Sequence, residues 1–328
     1  MNVLRETDQT LDWPAWPEYA LSDDLLPPLR EWLADGQRIA LATLVSVEGP
    51  SPRPLGSEML VAGDGRVAGY VSGGCVEAAV AAEALLAMAD GRPRLLDYGV
   101  GSPVLDIQLS CGGRIGIFVR ELARPGEYSN LLTTARRERR PVTVLSHRTT
   151  GDWSIVDGEA EASLAQYARV HTPPLRVVAV GGDPVTLALA RIAPMIGVEV
   201  ALLRPHGPAT PPHGVAPAAY DPRALEQALD AMALDEWTAV YSLSHDAETD
   251  HKVALHALRS RAFAVGVLGS RHKIESRLAQ LKDDGIDDEA LQRLHLPAGI
   301  PIGAQTPYGI AVSILAQLSQ SDRARSSQ

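Results

Sequence analysis

The chain has 328 residues, 45% of them hydrophobic, which suffices for two packed domains without disulfide staples. Its formal net charge of −10 disfavours nonspecific binding to nucleic acid or to an anionic membrane surface. With two cysteines, no apolar run long enough to span a bilayer and no signal-peptide pattern in "MNVLRETDQTLDWPAWPEYA", the expectation is a reducing, cytoplasmic location.

The opening residues read as an acidic arm rich in Trp and Pro. "LLPPLREWLADG" reads as a helix closed by Gly36, since glycine suits a left-handed C-cap. "RIALATLVSVEG" is a strand, and "EMLVAGDGRVAGYVSGG" is a β-hairpin turning at "GDG". "CVEAAVAAEALLAMADG" is a helix ending at Gly91. "RPRLLDYGV" and "GGRIGIFVREL" are further strands, and "PVTVLSHRTTGDWSIVDGE" is a second hairpin. Near residue 170 the pattern changes. "HTPPLRVVAVGGDPVTLALARIAPMIGVEVALLRP" is an apolar strand, a glycine turn, a helix and a second apolar strand, which is a βαβ unit and implies a parallel sheet. "EWTAVYSLSH" and "RAFAVGVLGS" add two strands, each with a helix after it, and "TPYGIAVSILAQL" reads as a packing helix. The fold class is therefore α/β: an N-terminal mixed α/β domain, then a doubly wound parallel-sheet domain. The boundaries read as arm and helix over 1–37, first domain over 38–170, a linker at "HTPP", second domain over 175–320 and a polar tail over 321–328.

Both cysteines sit in glycine turns. In "YVSGGCVEAAV" a strand meets two glycines, then Cys75, then a helix. Glycines there permit a tight turn with outward N–H groups, and the start of a helix favours an anion. A thiolate is stabilised in such a place, so Cys75 reads either as a reactive thiol or soft ligand or as a buried, inert side chain. "LSCGGRIGIFV" puts Cys111 before a second glycine pair. Where their strands lie side by side, the two turns converge at one sheet edge. The spacing does not suit a zinc ribbon, which needs close CxxC pairs. In "EGPSPRPLGSEML" Arg53 stands alone in a stiff loop, either as a phosphate fork or as a solvated loop arginine.

Taken in order, "ALATLVSVEGPSPRPLGSEMLV", "GRVAGYVSGGCVEAAV" and "LSCGGRIGIFVREL" resemble the xanthine dehydrogenase accessory factor family (XdhC/CoxI). "LSHDAETDHKVALHAL", "VGVLGSRHKIESRLAQL" and "LHLPAGIPIGAQTPYGIAVSILAQL" are similar to its C-terminal Rossmann domain, so the resemblance covers about residues 38–318. It implies an accessory chaperone that binds the molybdenum cofactor, as molybdopterin or its dinucleotide form, and protects it during sulfuration. It also implies delivery to a xanthine dehydrogenase-like molybdenum hydroxylase, with a cysteine desulfurase-type sulfurtransferase as second partner. Carried over by position, Cys75 comes with Ser72, Gly73, Gly74 and Glu77, and Cys111 with Gly112 and Gly113. The glycine N–H groups and Arg53 would hold the cofactor phosphate. Cys111 is the favoured molybdenum contact, on the expectation that Cys75 is tied into the helix cap. A homodimer is expected, since a shared site would shield a labile metal.

The second domain departs from the dinucleotide-binding fingerprint. In "AVGGDPVTLALA" Gly181 fits, but Asp183 stands at the second glycine position and Thr186 at the third small-residue position, and Arg204 is near the expected acidic ribose contact. Asp183 blocks and repels a pyrophosphate, and "DP" instead reads as N-cap and first helical residue. This speaks against NAD(P) as a cofactor. "SHDAETDH" places His245 and Asp246 after a strand, where α/β folds bind ligands, while Asp250 and His251 read as capping or decorating the next helix. In "LGSRHK", Gly269 and Ser270, with Arg271 and Lys273 after them, read as a second anion cradle or as an ordinary helix start. The competing readings are an NAD(P)-dependent oxidoreductase, a two-thiol redox protein in which Cys75 and Cys111 pair reversibly, and a scaffold that uses neither thiol.

Overall fold

The computed structural model describes residues 23–102, 109, 111–269 and 274–326. The chain divides into two compact units, with the division between Pro173 and Pro174. The N-terminal arm, apart from Asp23 and Asp24, lies outside the described residues, as do Ser270, Arg271 and Lys273.

The first unit opens with α1 (Leu26–Ala34), β1 (Ile39–Glu48), β2 (Glu58–Ala62) and β3 (Val67–Gly69). Then come α2 (Glu77–Asp90), β4 (Arg94–Gly99) and β5 (Arg114–Glu121). Gly91 caps α2 in the left-handed conformation, as its position in the sequence predicts. The five strands form an antiparallel sheet in the order β3-β2-β1-β5-β4. Both faces are covered, so β1 is a nearly continuous apolar run. On one face Ala40, Leu44, Met59, Ile117 and Val119 pack under Val80, Ala84 and Met88 of α2. On the other, Leu41, Leu60 and Leu122 meet Leu29 and Trp32 of α1. That second core also takes in α3 (Pro125–Arg137) and a three-stranded sheet of β6 (Val142–His147), β7 (Trp153–Asp157) and β8 (Gln166–His171).

The second unit contains β9 (Arg176–Val180), α4 (Pro184–Ile192), a 3-10 turn over Ala193–Ile196, β10 (Glu199–Leu203), β11 (Ala219–Asp221), α5 (Leu225–Asp230) and β12 (Thr238–Ser242). It continues with α6 (Ala247–Leu258), β13 (Ala264–Val267), α7 (Ile274–Asp283), α8 (Asp288–Leu291), β14 (Leu294–His295) and α9 (Pro307–Ser326). All six strands are parallel, in the order β11-β10-β9-β12-β13-β14. Separate apolar cores line the two faces. Leu189 of α4 and Ile314 and Leu318 of α9 lie on one side, and Val253 and Ala257 of α6 on the other. This is the doubly wound arrangement that the βαβ pattern implies. Helix α9 continues through the expected polar tail as far as Ser326.

Candidate functional site

The site follows from strand direction. In the antiparallel sheet, β1 and β3 end, and β5 begins, at the same edge. Three loops therefore share that edge: residues 49–57 after β1, 70–76 after β3 and 111–113 before β5. The strands carrying the two cysteine turns are not neighbours, because β2 and β1 lie between them. The turns are joined instead through the loop after β1. Gly49 packs on the Gly113 backbone, and Pro52 packs against Gly73. A Cβ on Gly113 would run into the Pro50 carbonyl, and one on Gly99, at the end of β4, into the Gly113 carbonyl. Glycine is required at these two positions because two backbones pass in contact.

The thiols differ in setting. Cys75 is exposed, which rules out the buried, inert reading. Cys111 is partly buried and packs against the core under α2. No disulfide joins them. Among the described residues, no group of three or more His, Cys, Asp or Glu side chains is placed to hold a metal ion.

The turn before α2 does not hold an external phosphate. Its donors are taken by Glu77, the first residue of the helix, whose carboxylate folds back into the turn. Oε1 accepts from the N–H groups of Val71 (3.1 Å), Ser72 (2.8 Å) and Gly73 (3.0 Å). Oε2 accepts from Gly74 N–H (2.9 Å), Val76 N–H (3.2 Å) and Ser72 Oγ–H (2.8 Å). Ser72 Oγ in turn accepts from Cys75 N–H at 3.1 Å. Burial pushes the Glu77 pKa up, but these donors prevail and hold it below the ordinary glutamate value. Ser72 and Glu77 are buried and bonded to each other, so they build the turn. The expectation that the N–H groups of Gly73 and Gly74 cradle a phosphate is corrected: an internal carboxylate occupies them. The turn presents the Cys75 side chain from a rigid frame.

Arg53 is neither solvated nor idle. Its guanidinium lies 4.0 Å from the Tyr70 ring centre, donates to Tyr70 Oη (3.0 Å) and pairs with Asp23 (2.6 Å). Behind it, on the α1 side of the sheet, is a charged group that the sequence reading did not identify. Glu58 lies 4.0 Å from Arg169 Nε and 3.8 Å from His171 Nε2. Burial pushes the His171 pKa down to about 4, so it is neutral at pH 7. Arg120 is fully buried on the same side, and neither of its Nη groups has a hydrogen-bond partner among the described residues. Its burial pushes its pKa down. No sequence signal marks this group, since its members come from β2, β5 and β8.

In the second unit the glycine turn after β9 is closed. Asp183 caps α4, accepting from Thr186 N–H (2.8 Å) and Thr186 Oγ–H (2.6 Å). A Cβ on Gly182 would lie 2.6 Å from Arg204 Nε, so the Arg204 side chain covers the turn. His245 is exposed, with Nε2 3.4 Å from Asp183 Oδ2. Asp246 caps α6 through Thr249 N–H at 2.8 Å. Asp250 corrects the sequence reading: it is buried, accepting from Ser242 Oγ–H (2.7 Å), Ser244 Oγ–H (2.9 Å) and Arg277 (2.9 Å). His251 pairs with Asp284 at 2.7 Å. Gly269 packs near Arg277. The Gly269–Ser270 cradle is left without a description, since Ser270 lies outside the described residues.

Two thiols presented at one edge of an antiparallel sheet, in a chain whose parallel unit lacks an open dinucleotide turn, define a two-unit, thiol-presenting α/β protein. The family described as "XdhC and CoxI family" matches residues 32–99, and "XdhC Rossmann domain" matches residues 177–318. The chain is 33% identical over 322 residues to the molybdenum cofactor insertion chaperone PaoD of Escherichia coli (strain K12), covering 92% of this chain and 91% of that one. It is 23% identical over 322 residues to a probable xanthine dehydrogenase subunit of Bacillus subtilis (strain 168), covering 88% and 94%. The crystal structure of a xanthine dehydrogenase from Bacillus halodurans has the same fold, with a TM-score of 0.75 at 20% identity, covering 92% and 96%. The chain belongs to the XdhC/CoxI family. No helix among the described residues is long and apolar enough to cross a membrane.

Proposed function

We propose that this protein is a molybdenum-cofactor chaperone that carries the cofactor as cargo and hands it to a xanthine dehydrogenase-like molybdenum hydroxylase. The observation that carries this reading is the convergence of the Cys75 and Cys111 turns, through loop 49–57, at one edge of the first unit's sheet. A relative named as a molybdenum cofactor insertion chaperone, aligned over nearly the whole chain, supports it. The cargo supplies the dithiolene-bound metal, so the chain needs no metal-binding cluster of its own.

Cys111 is the residue assigned to the molybdenum end. A thiolate is a soft ligand suited to such a centre, and Cys111 is half-sheltered against the core, which limits competing oxidants. Cys75 is exposed and suits an entry or hand-over contact. In this reading the cofactor stays bound while a cysteine desulfurase-type sulfurtransferase installs its terminal sulfur, and a homodimer shields it. An NAD(P)-dependent oxidoreductase is disfavoured by the Asp183 cap and by Arg204 over Gly182. The test is reconstitution of a cofactor-free molybdenum hydroxylase with limiting cofactor in air. The wild-type chain is expected to raise the recovered activity and Cys111→Ser to lose that effect. Equal recovery with Cys111→Ser, and with the double variant Cys75→Ser/Cys111→Ser, would favour a scaffold that uses neither thiol.

A further inference from the structure

The Glu77 carboxylate fills the glycine turn, so the anionic end of any cargo needs another seat. A cavity of about 320 Å³ opens beside the same loop, lined by Arg53, Arg169, Glu58 and Asp23 with Pro54 and Leu55 at its rim. That volume is at the lower end of the range for small-molecule sites, which begins near ~300 Å³. The loop links this cavity to the thiol edge: Pro50 touches Gly113, Pro52 touches Gly73, and Arg53 to Leu55 line the cavity. Pro50 and Arg53 are three residues apart in the sequence, which bounds their Cα separation at about 11 Å.

The donors favour an anion. Arg53 and Arg169 line the cavity with Asp23 and Glu58, two positive charges against two negative, and the buried Arg120 lies behind them near Glu58. His171 adds nothing at pH 7, because burial keeps it neutral. Arg53 Nε and Arg169 Nε are both buried without a hydrogen-bond partner among the described residues. Arg169 lies across Gly56, where a Cβ would sit 2.7 Å from its Cδ, so the loop sequence makes room for it. Arg53 is held over Tyr70, and its remaining outward group is paired with Asp23, whose side chain is 67% exposed. An exposed ion pair of this kind is weak and exchanges readily. A phosphate offers more acceptor oxygens than the Asp23 carboxylate and suits a planar guanidinium fork.

We propose that Arg53 and Arg169 form a phosphate site that seats the phosphate end of the cargo, with Asp23 as its stand-in when no phosphate is bound. This rests on the chaperone reading for the identity of the cargo, but the site can be tested without the cofactor. Pyrophosphate is titrated calorimetrically into the full-length protein at low ionic strength. The expected result is saturable binding that Arg53→Gln and Arg169→Gln each weaken about tenfold, the loss of one charge-assisted pair. Asp23→Asn, a surface change that leaves the fold intact, is expected to tighten binding a few-fold. Cys111→Ser is expected to leave it unchanged.

Absence of binding by the wild type, wild-type affinity in both arginine variants, or no tightening in Asp23→Asn would each overturn the site. A competition arm separates the two sources of phosphate. Pyrophosphate that lowers the apparent affinity for molybdenum cofactor supports the cargo assignment, and simultaneous independent binding overturns it in favour of a free-phosphate site. Pyrophosphate binding by a chain that takes up no cofactor would leave the pocket standing while the chaperone reading fell.

Discussion

Glu77→Gln isolates the turn that presents Cys75. The amide keeps one oxygen, enough for the N–H groups of Val71, Ser72 and Gly73. The other position becomes an NH₂ facing the N–H groups of Gly74, which loses its acceptor, and of Val76, which keeps Ser72 Oγ at 3.3 Å. A buried donor left unsatisfied costs about 1–3 kcal/mol; water reaches the exposed Gly74 and Val76 keeps one acceptor, so the expected loss is about 2 kcal/mol. For a unit of this size that corresponds to a fall in Tm of about 4–8 °C. Scanning calorimetry at pH 7 measures it directly. The pH dependence gives a second check. The folded pKa of Glu77 lies below its ordinary value of 4.5, so its stabilisation is complete above that pH and is lost as the pH falls through the folded value. The gap between wild type and variant is therefore widest at neutral pH and narrows below about pH 4.5. A Tm change under about 2 °C, or a gap that widens on acidification, would refute the carboxylate's structural role.

Adjacent glycines should respond differently to alanine. Gly113→Ala drives a Cβ into the Pro50 carbonyl and is expected to cost more than about 2 kcal/mol in urea unfolding; Gly112→Ala, with φ +74° and open space around it, costs about 1 kcal/mol. Asp183→Ala removes the α4 cap and costs about 1 kcal/mol, yet NADH fluorescence titration is expected to show no binding, because Arg204 still covers Gly182. His171 has a folded pKa of about 4 against an ordinary 6.5, so it contributes stability above pH 6.5 that is lost as the pH falls towards 4. His171→Phe is expected to remove about 2 kcal/mol of the decline between pH 6.5 and 5, read from urea midpoints at the two pH values.

Much of this architecture is legible in local pattern. The Gly91 cap, the hairpin around "GDG" and the βαβ run after "HTPP" each follow from one residue type at one spacing, and the Asp183 cap was readable from "DP". β8 was not legible: "QYARVH" has no apolar alternation, its residues are half-buried, and only pairing with β6 makes it a strand. The two cysteine turns were identifiable as turns, but their meeting depends on the strand order and on the loop after β1, which periodicity does not encode. The filling of the first turn by Glu77 had a signal, an acidic residue at the first helical position after exposed donors, where an internal anion competes with an external one. The Arg53–Arg169 pocket had no such signal, because its residues come from segments far apart in sequence.

The most direct test of the central claim is anaerobic binding of isolated molybdenum cofactor to the purified protein, with bound molybdenum measured by mass spectrometry for wild type, Cys75→Ser and Cys111→Ser. The expected result is near-stoichiometric molybdenum on the wild type, a marked loss in Cys111→Ser and a smaller loss in Cys75→Ser. Full retention by Cys111→Ser would contradict the assignment of the molybdenum end. A wild type that takes up no molybdenum would contradict the chaperone reading itself.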